Sequence, residues 1–452
     1  MMKRKSLIDI YLRNYSVGEK WELIANNTDD ISQVVVIPAY AERETLLSTL
    51  ASLARNSSSS LEYSFISCVI NNKDNSSSAA LENNLQTIEY LDALVKKKSL
   101  RKFSTDKKIY PVLLNLSDAK LKLGYINASS KGYEMPRNTG GVGMARKIGM
   151  DMALRLLRKN SSFPNLIISL DADTLVRDNY LSTIKNYFTP EVKTAIVSYE
   201  HQMPEAFEEQ AAIVCYEMFL RYWVLGLKYA KSPWAFHSIG STIIASTEAY
   251  LGVRGMNKRK AGEDFYFLSK LAKMGEINYI KETCVYPSAR SSTRVPFGTG
   301  KRIQRFLAGV CKEEYRLYDP QIFVILGDWL QLMNGLFITG EDEVLTKAER
   351  IHPSLKDFLK NSDFSAIWSN IRRNAKDEKT LGHQFNDWFD GFKTLKLINY
   401  FTREVYPQIN MFEALARIIS MSGMSGLKLN SEADIPQLEE QIKTLQYLRM
   451  IT

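Results

Sequence analysis

Three short apolar runs constrain this chain more than any other feature in it. Val34-Val35-Val36-Ile37, Phe65 to Ile70 and Leu166-Ile167-Ile168-Ser169-Leu170 are continuous rather than alternating, and rich in β-branched residues. A strand with one face in water alternates apolar and polar side chains, whereas a continuous run is buried on both faces. Helical spacing lies between the runs. Leu46, Leu50 and Leu53 share one face of a helix that breaks at Ser57 to Ser60. Ala145, Ile148, Met152 and Leu156 mark another, after the turn Gly140-Gly141-Val142-Gly143. Strands of this kind alternating with helices predict an α/β domain: a mixed, mainly parallel, Rossmann-like sheet covered on both sides.

Residues 79–140 are less regular and predict a helix over about 80–98, a strand over Tyr110 to Leu116, and loop elsewhere. From about 316 the pattern is entirely helical, with Trp329, Trp368, Trp388 and Phe392 as aromatic anchors and Leu438, Ile442, Leu445 and Leu448 along the last face. The expected division is a helical lead-in at 1–30, the α/β domain at 31–315 and an all-helical C-terminal domain at 316–452.

A chain of 452 residues, 45% apolar and 24% charged, has the balance of a globular protein with ample material for a core. Its four cysteines (Cys68, Cys215, Cys284, Cys311) are far apart with no C-x-x-C, a spacing that fits reduced, mostly buried thiols and argues against a zinc site or a disulfide framework. No apolar run follows Lys3-Arg4-Lys5. The stretches Cys215 to Phe236 and Gln321 to Thr339 are interrupted by Glu217, Arg221, Lys228 and Asp328, short of the ~20 apolar residues of a membrane span. A cytoplasmic protein is expected, at most peripheral to a membrane, with self-association left open. The net charge of +9 favours anionic partners such as a phosphorylated substrate. That charge is dispersed in short clusters, Lys96-Lys97-Lys98 and Lys258-Arg259-Lys260, which read as solvated surface, and no nucleic-acid partner is expected.

Three polar segments, Tyr40 to Glu42, Asn71 to Asp74 and Asp171 to Asp173, follow apolar runs, and ligands of parallel sheets bind beyond the carboxyl ends of strands. Asp171-Ala172-Asp173 places two carboxylates one residue apart on a turn, where they can converge on one hard cation. Such an ion neutralises charge on a departing diphosphate. The plainer reading is a turn that opens with aspartate. Ala261-Gly262-Glu263-Asp264 precedes Phe265, Leu268 and Leu271 at helical spacing. Acids there either cap the helix or supply a general base.

The ordered set Val-Ile-Pro-Ala-Tyr-Ala-Glu-Arg-Glu (36–44), Ser-Leu-Asp-Ala-Asp (169–173), Ile-Gly-Ser-Thr-Ile-Ile-Ala (239–245) and Gly-Glu-Asp (262–264) resembles family 2 glycosyltransferases with the GT-A fold, over roughly residues 31–290. The resemblance implies an inverting, metal-dependent hexosyltransferase that uses a UDP- or GDP-linked sugar with Mn2+ or Mg2+. The acceptor would be a glycan, a lipid-linked sugar or a small molecule. It implies that Pro38, Ala39, Tyr40, Glu42 and Asn71 line the nucleotide, and that Arg146 lies near the donor. Asp171, Ala172 and Asp173 would meet the metal and diphosphate, Gly240 and Ser241 the sugar and acceptor. Asp264 would be the catalytic base, with Glu263 orienting its neighbours.

The chain departs from the family twice. Asn71-Asn72 stands where an aspartate pair is common, which leaves the base preference open. No histidine closely follows Gly-Glu-Asp, so His237 is the candidate third metal ligand, against a purely structural role. Residues 286–301, with Arg290, Arg294 and Lys301 among glycines, are expected to form a mobile lid over the donor. Leu170-Asp171-Ala172-Asp173-Thr174 also fits the nucleophile signature of haloacid-dehalogenase-like phosphatases, and a non-catalytic binding protein on the same fold is a further alternative.

Overall fold

A computed structural model of the chain describes residues 2–157, 164–292, 298–334, 339–425 and 434–452. These form two compact units: 1–202 with 238–288, and 203–237 with 289–452. The chain thus leaves the first unit and returns to it, whereas the sequence pattern suggested one cut near 315.

The first unit opens with α1 (Met2–Asn14), β1 (Leu23–Ala25), β2 (Gln33–Ala39), α2 (Arg43–Ala54), α3 (Ser58–Glu62) and β3 (Ser64–Asn71). It continues through α4 (Ser78–Val95), α5 (Ile109–Asp118), β4 (Lys122–Ala128), α6 (Val142–Leu157), β5 (Leu166–Ser169), β6 (Leu175–Val176), α7 (Tyr180–Tyr187) and β7 (Thr194–Tyr199). After the excursion of α8 (Phe207–Tyr229) into the second unit come β8 (Ile243–Ser246), α9 (Thr247–Gly252), α10 (Glu263–Ala272) and β9 (Asn278–Tyr286).

The sheet order is β1-β4-β3-β2-β5-β8-β7-β9-β6. Its centre, β4-β3-β2-β5, is parallel, and β1, β8 and β6 are antiparallel to their neighbours. This is the mixed, mainly parallel α/β sheet expected from the apolar runs, and β2, β3 and β5 are buried at every position. A proline after the run Val34 to Ile37 would be expected to stop the strand, yet β2 continues through Pro38 to Ala39. The Val36 carbonyl accepts from the Leu170 N–H on the β5 side, and residues two apart face the same neighbour. Pro38 therefore turns its missing N–H to a side where the β5 ladder has already stopped, and no bond is lost.

The segment 110–116 is a helix, not a strand. Ile109, Leu113 and Leu116 are its buried residues, four and three apart, and Pro111 sits in the first turn where no N–H is needed. The strand of this region is β4, hidden in the sequence because Gly124 and Asn127 interrupt its apolar pattern. A Cβ at Gly124 would come within 2.7 Å of the Phe65 ring and 2.8 Å of the Ile24 carbonyl.

The second unit adds α11 (Thr299–Arg305), α12 (Cys311–Glu314), β10 (Arg316–Leu317), α13 (Gln321–Leu332), α14 (Glu341–Ile351), α15 (Pro353–Lys360), α16 (Phe364–Asn374), α17 (Glu378–Trp388), α18 (Gly391–Glu404), β11 (Ile409–Asn410), α19 (Met411–Met421) and α20 (Leu438–Ile451). Among its described residues the regular elements are helices apart from the short β10–β11 pair. Trp329 and Trp368 are fully buried in its core, but Phe392, expected as an anchor, is 40% exposed. Val214, Met218, Tyr222 and Leu225 of α8 belong to this same core. No helix among the described residues is long and apolar enough to cross a membrane.

Candidate active site

Parallel pairing of β3, β2 and β5 puts their carboxyl ends, and so Tyr40, Asn71 and Asp171, on one edge of the sheet. β8 runs antiparallel to β5, with Ile244 opposite Ile168, so Gly240 and Ser241, just before β8, reach the same edge. α6 contributes Arg146, and α10 starts with Glu263 and Asp264.

Arg146 organises the centre. It is 2% exposed and donates from Nη1 to Ser169 Oγ at 2.5 Å, from Nη2 to Asp171 Oδ1 at 2.5 Å and from Nε to Glu263 Oε1 at 3.1 Å. Burial works against its charge, but Asp171, Glu263 and Asp264 outweigh that and hold the guanidinium above its ordinary range. Ser241 Oγ donates to Asp171 Oδ2 at 2.5 Å and lies 3.0 Å from Thr174 Oγ1. Gly240 leaves room for this arrangement: a Cβ there would stand 2.2 Å from Arg146 Nη2. The sequence missed Ser169 and Thr174 as site residues, although both flank Asp-x-Asp.

Asp264 accepts the N–H of Phe265 at 2.8 Å, so it does not act as a helix cap; the cap position is Gly262, in the left-handed region at φ +67°. Burial and then the neighbouring Glu263 carboxylate push its carboxyl up to about 7, against the pull of the Phe265 N–H and Arg146. The helix dipole, which favours the ionised form, is outweighed.

The nucleotide-side candidates are held by the fold. Ala41 takes φ +53°, and its N–H donates to Asn84 Oδ1 at 2.9 Å, which turns the chain after the half-buried Tyr40. Pro38 and Ala39 are the last two residues of β2. Glu42 accepts from the Thr45 hydroxyl at 2.5 Å, within its own helix start. With its side-chain amide turned so that the nitrogen faces these acceptors, Asn71 donates to the Ala39 and Val69 carbonyls at 3.2 Å. Asn72 accepts from Asn84 Nδ2 at 2.8 Å and donates to the Ser129 carbonyl at 3.2 Å. Both amides thus tie β2, β3, β4 and α4 together. Ala172 is buried, and its carbonyl accepts from Thr49.

The donor set for a cation is Asp171 and Asp173, the latter held through its backbone carbonyl by Gln202 Nε2 at 3.1 Å. Each Asp171 oxygen, bonded once to Arg146 or Ser241, keeps one further lone pair. Among the described residues no group of three or more His, Cys, Asp or Glu side chains is placed to hold a metal. The pair offers the oxygen donors that a hard cation such as magnesium takes. His237 belongs to the second unit, is 4% exposed, and is kept well below its usual pKa by burial and by the charges of Arg221 and Lys228.

Arg294 lies outside the described residues. Lys301, expected on a patternless lid, is in α11, where Nζ donates to Gln304 Oε1 at 3.1 Å.

Comparison of the sequence with known protein families and with curated proteins finds no match. Among solved structures the chain is similar to S. aureus TarS 1–349, at 14% identity over 79% of this chain and 92% of that one, with TM-score 0.34. The same protein in complex with UDP-GlcNAc gives 0.36. It is also similar to the mannosyltransferase PcManGT from Pyrobaculum calidifontis in complex with GDP-Man and Mn2+, at 12% identity over 99% of this chain and 88% of that one, with TM-score 0.35. A likeness of this degree assigns no residue role.

Proposed function

We propose that this chain is an inverting GT-A glycosyltransferase that moves a sugar from a nucleotide-sugar donor to an acceptor hydroxyl. The observation that carries the reading is Asp264. It is a carboxyl pushed up to about 7, beside the cluster of Arg146, Asp171, Glu263 and Ser241, at the edge where the strands end. A base titrating there is matched to taking a proton from a hydroxyl near neutrality. The attacking oxygen forms its bond to the anomeric carbon as the bond to the diphosphate breaks on the opposite face, which inverts the centre.

Asp171 and Asp173 would hold a magnesium or manganese ion, which, when bound, neutralises charge on the departing diphosphate. Arg146 orients Asp171, and Glu263 fixes Arg146 from the other side. No role at the cation is proposed for His237. The phosphatase alternative needs Asp171 as a nucleophile, and the Arg146 and Ser241 bonds to its two oxygens weaken it in that role.

The test is a thermal-shift screen of UDP- and GDP-linked hexoses with manganese or chelator, followed by release of nucleoside diphosphate. A donor that stabilises the protein only with the ion, and is consumed, supports the reading. Absence of any donor response, or one indifferent to chelator, rejects the transferase or its metal respectively.

A further inference from the structure

We infer that the acceptor carries an oxyanion, a phosphate or carboxylate, which is held by the loop Lys258-Arg259-Lys260; this rests on the transferase reading above. The sequence alone gave this cluster no role beyond solvated surface, the same reading as for Lys96-Lys97-Lys98. The structure separates the two. Lys96 and Lys98 share one counter-charge, Asp92, at 2.5 and 2.6 Å. Lys258, Arg259 and Lys260 are all exposed, and among the described residues none of them is paired with a carboxylate. Three adjacent like charges without counter-charge repel one another, and an anion relieves that repulsion.

The loop is also built rather than loose. Its backbone lies so close to the start of α6 that a Cβ at Gly143 would meet the carbonyls of Arg259 and Asn257 at 2.5 and 2.8 Å. A Cβ at Gly141 would meet Lys260 Cα at 2.7 Å. Asn257 Nδ2 donates to the Glu263 carbonyl at 3.0 Å, and Asn257 Oδ1 accepts the Arg259 N–H at 3.3 Å. The Arg259 guanidinium stacks on the Tyr266 ring at 3.5 Å, a preorganised planar donor. The chain then turns at Gly262 into Glu263 and Asp264. A pinned backbone thus presents three unpaired cations directly before the proposed base, on the segment that leads to the acceptor's hydroxyl rather than at the Asp-x-Asp turn.

The test compares glucose, glucose 6-phosphate and glucuronate as acceptors with the donor found above, for the wild type, K258S/R259S/K260S and the charge-matched K96S/K97S/K98S. Lysine-labelling footprints are taken on the same samples. The wild type should prefer an anionic sugar over glucose by at least about tenfold at low salt, with the preference falling as salt rises. That sugar, and not glucose, should protect Lys258 and Lys260 from labelling. The preference should vanish in K258S/R259S/K260S and persist in K96S/K97S/K98S. Glucose 6-phosphate acting alone identifies phosphate, and glucuronate acting equally identifies any oxyanion. Equal use of all three sugars, or unchanged selectivity in K258S/R259S/K260S, overturns the inference. A rise in donor KM alone also overturns it, since the cations would then serve the diphosphate. Where none of the sugars accepts transfer, absence of selective protection overturns it. A protein that neither binds nor consumes a donor instead overturns the transferase reading.

Discussion

A carboxyl that titrates near 7 is a working base only above that pH. The kcat/KM of the wild type should therefore rise through about pH 7 as Asp264 loses its proton. Asp264→Asn should lose that rise and roughly 10²- to 10⁴-fold in rate, with donor affinity within a few-fold of wild type. A variant with near-normal turnover would remove Asp264 from the role. Stability should move the other way. Below the ordinary carboxylate range both states hold the proton. As pH climbs from there to about 7 the unfolded chain has released it while the folded chain retains it, so the fold weakens. The asparagine variant lacks this dependence and should melt no lower than the wild type at pH 8. Gly240 makes a second residue-scale prediction. Its missing Cβ is what lets Arg146 reach Asp171, so Gly240→Ala should displace the guanidinium and cost on the order of 10²-fold in turnover, with an unchanged circular-dichroism spectrum. Gly240 and Ser241 were legible in the sequence as a motif. What they do for Arg146 was not, because the partners are some 70 to 100 residues apart in the chain.

Among the elements, α6 shows most clearly how position is passed to the site. One turn presents Arg146 to the carboxylates, and the next residue, Lys147, about 100° around the helix, enters a buried network. There Asp151 accepts from Tyr11 and Tyr250, both at 2.8 Å, and from the Val17 N–H at 2.9 Å, while Lys147 Nζ donates to Tyr11 at 2.8 Å. Asp151 and Lys147 are 2% and 3% exposed, so a lost donor is not replaced by water. Tyr11→Phe should cost about 1–3 kcal/mol in urea unfolding, while Tyr15→Phe, on an exposed position of the same segment, should cost nothing measurable. The first 30 residues, a helical lead-in by sequence, supply in this way a brace for α6 through Tyr11 and Val17. Neither Tyr11 nor Asp151 stands in a recognisable motif, and only the folded chain brings residues 140 apart into contact.

At the scale of the whole molecule, the excursion of 203–237 decides where the chain can be cut. A protein ending at residue 315 keeps α8 but loses α13, α19 and α20, against which Val214, Met218, Tyr222 and Leu225 pack. Such an exposed apolar stripe should make it aggregate or bind a hydrophobic dye, where the full chain does neither. A well-behaved monomer from that cut would show that α8 does not need its helical partners. The sequence by itself determined the buried strands, since a continuous apolar run is stable only when covered on both faces, and with them the α/β class. It also marked the polar segments that follow those strands, because parallel pairing leaves their ends on one edge. It could not determine β4, whose glycine and asparagine break the apolar pattern, or α5, whose short apolar run carries either period. Only the tertiary structure decided that Asn71 and Asn72 spend their amides on neighbouring strands and that the pKa of Asp264 is raised. The same holds for one lysine cluster meeting Asp92 while the other meets no carboxylate among the described residues. Hydrogen-bond partners, burial and counter-charges are set by which distant residues meet, and local spacing carries no record of that.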